Sequence, residues 1–259
     1  MQSLKNLIRY PFNLFGLQII RLKNIQRDIF SILGSAIKDK NINFIDIGAN
    51  KGQSIDKAIL NFYNLQSIIA VEPLINDALI SKINESKIKI EFINKAVGSG
   101  GEISLRLNEY SGLNSIHPFN PKYDYIIGGK ENLGTVNVEC ITLNDVLKKI
   151  NSKEESVTIL KIDVQGYEDK VLESGIILQT GIVDFLIIEV ILIEKYKSQA
   201  NYLNVMKLLD DLGFVLIDSI PFFKELDSKL VKRNEFGQFT EMNLIYIHRN
   251  SIARFNFKQ

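Results

Sequence analysis

The stretch Asn43-Phe44-Ile45-Asp46-Ile47-Gly48-Ala49-Asn50-Lys51-Gly52-Gln53-Ser54 constrains this chain more than any other part of it. It reads as a buried strand, a tight glycine turn and the start of a helix. A glycine there lets the backbone approach a ligand where a Cβ would collide, and the helix that follows offers unpaired N–H groups. An acid ends the next apolar run, Ile68-Ile69-Ala70-Val71-Glu72. A carboxylate at that strand end is placed to accept hydrogen bonds from ribose hydroxyls. Turn and acid together describe a pocket for a nucleoside-type cofactor.

The glycine spacing narrows the choice of cofactor. Dinucleotide sites use G-x-G-x-x-G and seat the pyrophosphate on the helix N-terminus. Here Gly48 and Gly52 are spaced G-x-x-x-G, and Asn50 stands where the middle glycine would make room for a pyrophosphate. This disfavours an NAD-dependent oxidoreductase. It fits S-adenosylmethionine (SAM), which has an amino-acid tail and no phosphate. Asp46 is expected to hold the ammonium of that tail, directly or through water. The backbone from Gly48 through Ala49 to Asn50 faces the tail, and Gly52, Gln53 and Ser54 carry the turn into the helix beside it. Glu72, with Pro73 behind it, is expected at the ribose. Asn94 and Ala96, after the third strand, are expected against the adenine, because ligands of open parallel sheets bind at the carboxyl ends of the strands.

Around this motif the chain alternates short apolar runs with helical stretches. Strands are expected at 43–47, 67–72, 88–93, 102–107, 136–141, 157–163, 184–190, 213–219 and 243–248, and helices at 53–64, 74–84, 142–150, 167–175 and 199–212. Such alternation implies parallel βαβ units. The runs Ile159-Leu160-Lys161-Ile162 and Phe185-Leu186-Ile187-Ile188 are nearly continuously apolar, as befits strands covered on both faces. Thr142 is placed to cap a helix. The last two runs, separated by a polar segment, suggest a terminal antiparallel pair. Residues 108–134 fit neither period; Gly112, Pro118, Pro121, Gly128, Gly129 and Gly134 punctuate them, with Tyr110, His117, Phe119, Tyr123 and Tyr125 interleaved. A loop this long within a compact domain is often a lid or a binding loop.

Residues 1–40 differ from the rest, with seven Lys or Arg against two Asp and apolar positions at helical spacing. They are read as an N-terminal helical cap on a main domain of residues 41–259. The alternative is a basic amphipathic segment that makes weak contact with an anionic membrane surface. A formal net charge of +1 over the whole chain gives no basic footprint for nucleic acid. The single Cys140 excludes an intrachain disulfide. No apolar run reaches the roughly 18 residues of a membrane span, and no cleavable signal is recognised at the N-terminus. Together these features give the expectation of a cytoplasmic protein.

At Leu160-Lys161-Ile162-Asp163-Val164-Gln165-Gly166-Tyr167-Glu168 the chain resembles the FkbM family of SAM-dependent methyltransferases, whose motif there runs roughly L-K-I-D-V-E-G-x-E. Gln165 stands where that pattern has Glu. The family's D-I-G-A-N-x-G is similar to Asp46 through Gly52, its E-P to Glu72-Pro73, and its A-V-G to Ala96 through Gly98. A looser likeness runs from Ser111 to Ile116, and a T-L-D-D-like helix start is matched by Thr142-Leu143-Asn144-Asp145. The resemblance covers about residues 41–249 and implies a class I, Rossmann-like α/β methyltransferase fold. That fold has a mostly parallel seven-stranded sheet with an antiparallel terminal strand, here with N-terminal helices added. It also implies methylation of oxygen in a sugar, glycan or other hydroxylated metabolite. The alternative from another class is a SAM-binding protein without turnover.

Methyl transfer from a sulfonium needs proximity, alignment and a dry pocket, and a hydroxyl nucleophile is further helped by a base. Asp163, at the end of a central strand, is expected to position the acceptor hydroxyl, to take its proton or, with Val164, to contact the cofactor. Glu168, at the next helix start, and His117, in the long loop, are the other catalytic candidates, and Glu189 ends the adjacent strand. Carboxylates suit hard cations, but the neutral amide of Gln165 among them argues against a metal, and none is assigned. His248, on the expected last strand, is read as structural.

Overall fold

The computed structural model describes residues 28–123, 132–150, 156–223 and 239–255. Its strands are β1 (Asn41–Ile47), β2 (Leu65–Val71), β3 (Lys89–Ile93), β4 (Ala96–Val97), β5 (Gly101–Asn108), β6 (Asn132–Ile141), β7 (Ser156–Ile162), β8 (Phe185–Ile191), β9 (Phe214–Phe223) and β10 (Phe239–His248). The α-helices are α1 (Ile29–Ala36), α2 (Gln53–Asn61), α3 (Asp77–Glu85), α4 (Leu143–Leu147), α5 (Glu168–Glu173) and α6 (Tyr202–Asp211). Seven strands form one sheet in the order β3-β2-β1-β7-β8-β10-β9. β3 through β8 run parallel in it, and β10 is antiparallel to both β8 and β9. This is the class I methyltransferase architecture, with the terminal strand reversed as expected.

The sheet is covered on both faces, which is why its central strands read as unbroken apolar runs. Ile42 and Phe44 of β1 pack with Ile55, Ala58 and Phe62 on one side. Ile45 and Ile47 pack with Val146, Val171 and Leu209 on the other. Residues of adjacent strands therefore feed both cores with the period of two that a pleated strand imposes. α1 joins the first of these cores through Ile29, Phe30, Leu33 and Ile37, with Phe30 edge-on to Phe44 at a centroid separation of 5.8 Å. The basic segment, for which weak membrane contact is the alternative, falls mainly on residues 1–27, outside the described residues. Among the described residues no helix is long and apolar enough to cross a membrane.

Two of the nine expected strand runs stand outside the seven-stranded sheet. β5 and β6 pair antiparallel, and with β4 they make a separate sheet in the order β4-β6-β5. The physical reason is the connection. Among the described residues only 3-10 turns stand between β5 and β6, and a parallel pair needs a crossover, whereas an antiparallel pair needs only a loop. That loop is the irregular stretch seen in the sequence. Its first part is built: a 3-10 turn at Ser111–Leu113, a bridge from Arg106 to Ser115, and a second 3-10 turn at Pro121–Tyr123. Tyr125, Gly128 and Gly129 lie outside the described residues. Helix starts follow the local chemistry. α4 carries a capping box in which the Thr142 hydroxyl accepts from the Asp145 N–H and the Asp145 carboxylate accepts from the Thr142 N–H. α4 and α5 are shorter than expected, ending at Leu147 and Glu173.

Candidate active site

Parallel register builds the site's floor. Ile47 pairs with Val71 and Ile162, Val71 with Ile93, and Ile162 with Ile188. The residues one step further, Gly48, Glu72, Asn94, Asp163 and Glu189, therefore stand in one row on the carboxyl edge. The chain order reverses between β1 and β7, so this is the switch point where open α/β sheets bind ligands.

The turn after β1 is tied to the acid after β2. The Gly48 and Ala49 N–H groups donate to the Val71 carbonyl at 2.9 and 3.0 Å. Asn50 takes a left-handed conformation, φ 46°, which aims its N–H at Glu72 Oε2, 2.9 Å away. The Leu74 N–H donates to Glu72 Oε1 at 3.1 Å. Each Glu72 oxygen thus accepts one backbone N–H and keeps capacity for another donor. Burial pushes the Glu72 carboxyl up, against the pull of the Leu74 and Asn50 N–H groups. Asn94, expected against the adenine, instead uses its side-chain amide to donate to the Glu72 and Pro73 carbonyls at 3.1 and 2.9 Å, on the exposed side. The slot beside Glu72 is lined by Val71, Pro73, Ala96, Val97, Ile116 and Tyr167. Gly98 is required by that slot, since a Cβ there would come 2.5 Å from the Tyr167 ring.

A second cleft, of about 310 Å³, continues from Gly48, Ala49 and Asn50 past Gln53 and Ser54 to Asp163, Glu189 and Glu241. α2 opens here with Gly52 as its N-cap and no side-chain cap, so its first N–H groups lack partners within the helix. Behind the cleft lies a buried charge group. Lys161 Nζ sits 3.4 Å from Asp46 Oδ1 and 3.2 Å from Asp163 Oδ2. The Asp46 carboxylate is fully buried, and neither of its oxygens receives a hydrogen bond. The ammonium at 3.4 Å supplies attraction without hydrogen-bond geometry. Burial pushes the Asp46 carboxyl up more than Lys161 pulls it down. Burial opposes the charge on Lys161, but Asp163 and Asp46 overcome it and hold the ammonium protonated. For Asp163, burial is outweighed by Lys161 and by the Gln165 amide, so its carboxyl lies below the usual range.

Gln165 is the hub of this region, and its left-handed φ of 54° turns its side chain into the cleft wall. Its Nε2 donates to Asp163 Oδ1 at 3.0 Å and to Glu189 Oε2 at 2.8 Å. Its Oε1 accepts from Lys195 Nζ at 3.1 Å and from the Tyr196 hydroxyl at 2.8 Å. Lys195 in turn donates to Glu241 Oε1 at 2.7 Å. All four hydrogen-bonding positions of the amide are filled. The long loop is pinned to the same hub. The Ser115 hydroxyl donates to the Gln165 carbonyl at 2.6 Å, and Gly112 and Leu113 close one wall of the cleft.

Two sequence candidates sit elsewhere. Glu168 is buried under the turn, where it accepts from the Val164 N–H at 3.2 Å and the Gly166 N–H at 3.1 Å. Burial pushes its carboxyl to about 7. It lines neither cleft and holds the Asp163–Tyr167 turn in shape. His117 packs 5.8 Å from the Tyr167 ring, with its imidazole pushed down by burial, and also lines neither cleft. Gly52 is buried against Lys82 rather than open to the cleft. Val164 joins the slot with Asp163. Lys161, Lys195, Tyr196 and Glu241 carried no role in the sequence reading; only Lys161, a charge in an apolar central strand, gave a signal. Among the described residues no group of three or more His, Cys, Asp or Glu has metal-holding geometry. A larger cleft, about 530 Å³, opens at the opposite, amino-terminal edge around Asn43, Ser67 and Ser156. Its polar groups bond one another, Ser67 to Asn43 and Asn43 to Ser156, and it lies at the far end of the strands from the switch point.

The family model described as the methyltransferase FkbM domain matches residues 46–216. The chain belongs to the FkbM methyltransferase family. It is therefore a methyltransferase, and the family implies SAM as the methyl donor. No curated protein matches the chain. Among solved structures, a precorrin-6y C5,15-methyltransferase from Geobacter metallireducens GS-15 aligns at 10% identity over 89% of this chain and 94% of its own, with a TM-score of 0.41. The 1,6-didemethyltoxoflavin-N1-methyltransferase of Burkholderia thailandensis aligns at 10% identity over 85% and 76%, with a TM-score of 0.42. The TrmK tRNA methyltransferase of B. subtilis aligns at 13% identity over 89% and 69%, with a TM-score of 0.42. Likenesses this distant carry no argument about the acceptor, and the family assignment rests on the family match.

Proposed function

We propose that this FkbM-family protein transfers the methyl group of SAM to a hydroxyl oxygen of a sugar, glycan or other hydroxylated metabolite. The observation that carries the reading is the Asp46 carboxylate, buried beside the Lys161 ammonium with neither oxygen hydrogen-bonded, behind a cleft at the switch point whose lining it does not itself join. A buried ionisable group without a hydrogen-bond donor is expensive unless a ligand supplies one, and the ammonium of an amino-acid tail in the adjoining cleft does so directly or through water. The other residues present fit the same molecule. Glu72 has acceptor capacity left for ribose hydroxyls. Val71, Pro73, Ala96 and Tyr167 offer apolar surface to an adenine. The open N-terminus of α2, at Gln53 and Ser54, suits a carboxylate.

When bound, SAM supplies a methyl group on a sulfonium, whose departure as a neutral thioether needs no acid. The protein's part is alignment and proton handling. The cleft beyond Asp163 is walled by Glu189, Glu241 and Gln165, with both lysines already paired to acids. Such a wall accepts hydrogen bonds from a hydroxyl-bearing part of an acceptor and repels an anionic group placed against it.

The test is calorimetric titration with SAM, S-adenosylhomocysteine (SAH) and NAD, followed by labelled-methyl transfer from SAM into a panel of sugar nucleotides and cell-envelope glycans. Binding of SAM and SAH with label on oxygen is the expected result. Binding of NAD alone, or label found only on nitrogen or carbon, overturns the proposal.

A further inference from the structure

Asp163 is the acid that the motif brings forward, but its two oxygens are both engaged. Oδ2 faces the Lys161 ammonium at 3.2 Å, and Oδ1 accepts from the Gln165 amide at 3.0 Å. A carboxylate stabilised in this way is a weak base. Glu189, one strand over on the same edge, is held differently. Its Oε2 accepts from Gln165 at 2.8 Å, while Oε1 has no hydrogen-bond partner among the described residues, and the residue lines the acceptor side of the cleft.

We propose that Glu189 takes the proton of the acceptor hydroxyl, and that Asp163 is the positioning residue beside it. The proposal rests on the oxygen-methylation reading above. In the step, the hydroxyl O–H proton passes to Glu189 Oε1 as an oxygen lone pair forms the bond to the methyl carbon. The methyl–sulfur bond breaks with its electron pair staying on sulfur, so a sulfonium, an alcohol and the Glu189 carboxylate become a thioether, an ether and a protonated carboxyl.

The groups facing Glu189 favour that role. They are Lys161 on β7, Asp163 just past it, Gln165 in the following turn, Glu241 on β10 and Lys195 after β8. Burial first, then the Asp163 and Glu241 charges, push its carboxyl well above the usual range, against the pull of Lys195 and Lys161. A base gains efficiency as its pKa rises toward the working pH. Gln165 fixes the arrangement. Because Lys195 and Tyr196 occupy its oxygen, only its NH₂ can face the two acids.

An experiment that needs no acceptor tests this. SAM carries a positive sulfonium that SAH lacks, and that charge beside Glu189 favours its ionised form. SAM binding at neutral pH, measured by calorimetry in two buffers of different ionisation enthalpy, is expected to release more protons than SAH binding. Glu189→Gln should abolish the difference while keeping SAH affinity within about threefold, and Glu189→Asp should restore it. With a hydroxylated acceptor, Glu189→Gln should lower kcat by about 100-fold or more, the usual worth of a positioned base. Equal proton release from SAM and SAH, or a difference that survives Glu189→Gln, overturns the assignment of Glu189. Label reaching carbon or nitrogen and no hydroxyl sinks the oxygen reading instead, whatever the buffers show.

Discussion

Gly48 begins the motif that first suggested a ligand, and its replacement separates two reasons for a glycine. A Cβ at residue 48 would come within 3.0 Å of the Asp163 carbonyl carbon and closer still to the carbonyl oxygen. The clash is with the end of β7 and exists without any ligand. Residue 48 also has φ +83°, where an L side chain is strained. Gly48→Ala therefore combines about 1–2 kcal/mol of left-handed backbone strain with about 1–3 kcal/mol for forcing packed strands apart. The total of about 2–5 kcal/mol is a large share of the roughly 5–15 kcal/mol that stabilises a folded protein.

Gly101 provides the control. It has φ +85° and nothing within 4 Å of a built Cβ, so Gly101→Ala carries the backbone strain without the clash. Urea denaturation of the ligand-free proteins should show a midpoint for Gly48→Ala well below that of Gly101→Ala, with m unchanged. In a thermal melt the Gly48→Ala loss corresponds to about 2–4 °C per kcal/mol for a chain of this size. If the ligand-free Gly48→Ala protein is no less stable than Gly101→Ala and only SAM affinity falls, the reasoning fails. The glycine would then serve ligand clearance, as the sequence alone suggests.

Other variants test the remaining contacts. The Glu168 carboxyl, pushed by burial from its ordinary 4.5 to about 7, holds its proton more tightly in the folded state, so stability should fall as pH rises through that window, by up to about 3 kcal/mol. Glu168→Gln should flatten this decline in denaturation curves taken at pH 4.5, 6 and 7.5, and parallel curves for the two proteins would refute it. Glu72→Gln faces the Asn50 and Leu74 N–H groups with a single acceptor oxygen, which should cost about 1–3 kcal/mol of stability. The same change should weaken SAM binding by tenfold or more in calorimetry. Ser115→Ala removes the bond to the Gln165 carbonyl and the one from the His117 N–H. Amide exchange across residues 111–117 should quicken correspondingly, whereas unchanged protection would show that the loop is held elsewhere.

How far the sequence could be read follows from the kind of contact involved. β1, β2, β7 and β8 were legible because burial on both faces leaves an unbroken apolar signature, and the acids that end them stood out against it. Glu72 and Asp163 stand out as acids just past such strands, and Asp46 as a charge inside one. The direction in which an acid points was not legible. Glu168 has the spacing of a catalytic residue, but its carboxylate turns back to the Val164 and Gly166 N–H groups. Asn94 sits at a strand end facing a ligand edge, yet its amide braces the Glu72 turn. Glu241 was invisible because its place depends on β10 running antiparallel, with Asn243 opposite Glu189 and Glu241 opposite Ile191. Lys195 and Tyr196 reach Gln165 from an irregular segment that no periodicity marks. Which sheet β5 and β6 join was not legible, because a strand's period does not reveal its partners.

The departure of Gln165 from the family pattern gains its meaning from these same contacts. A carboxylate at that position would point at the carboxylates of Asp163 and Glu189, and three acids at hydrogen-bond distance require a shared proton or a cation between them. The amide instead supplies one N–H to each acid and presents its oxygen to Lys195 and Tyr196. The two acids can therefore differ in charge state without a metal to arbitrate. Asp163 is kept ionised by Lys161, and Glu189 is left responsive to what enters the cleft. One neutral side chain in a strained conformation thus joins the donor end of the site, from Asp46 through Lys161 to Asp163, to the acceptor end at Glu189 and Glu241. The same residue anchors the loop above both through its own carbonyl. The loop and Glu189 are thereby joined through one residue, because Ser115 donates to the carbonyl of the Gln165 whose amide orients Glu189.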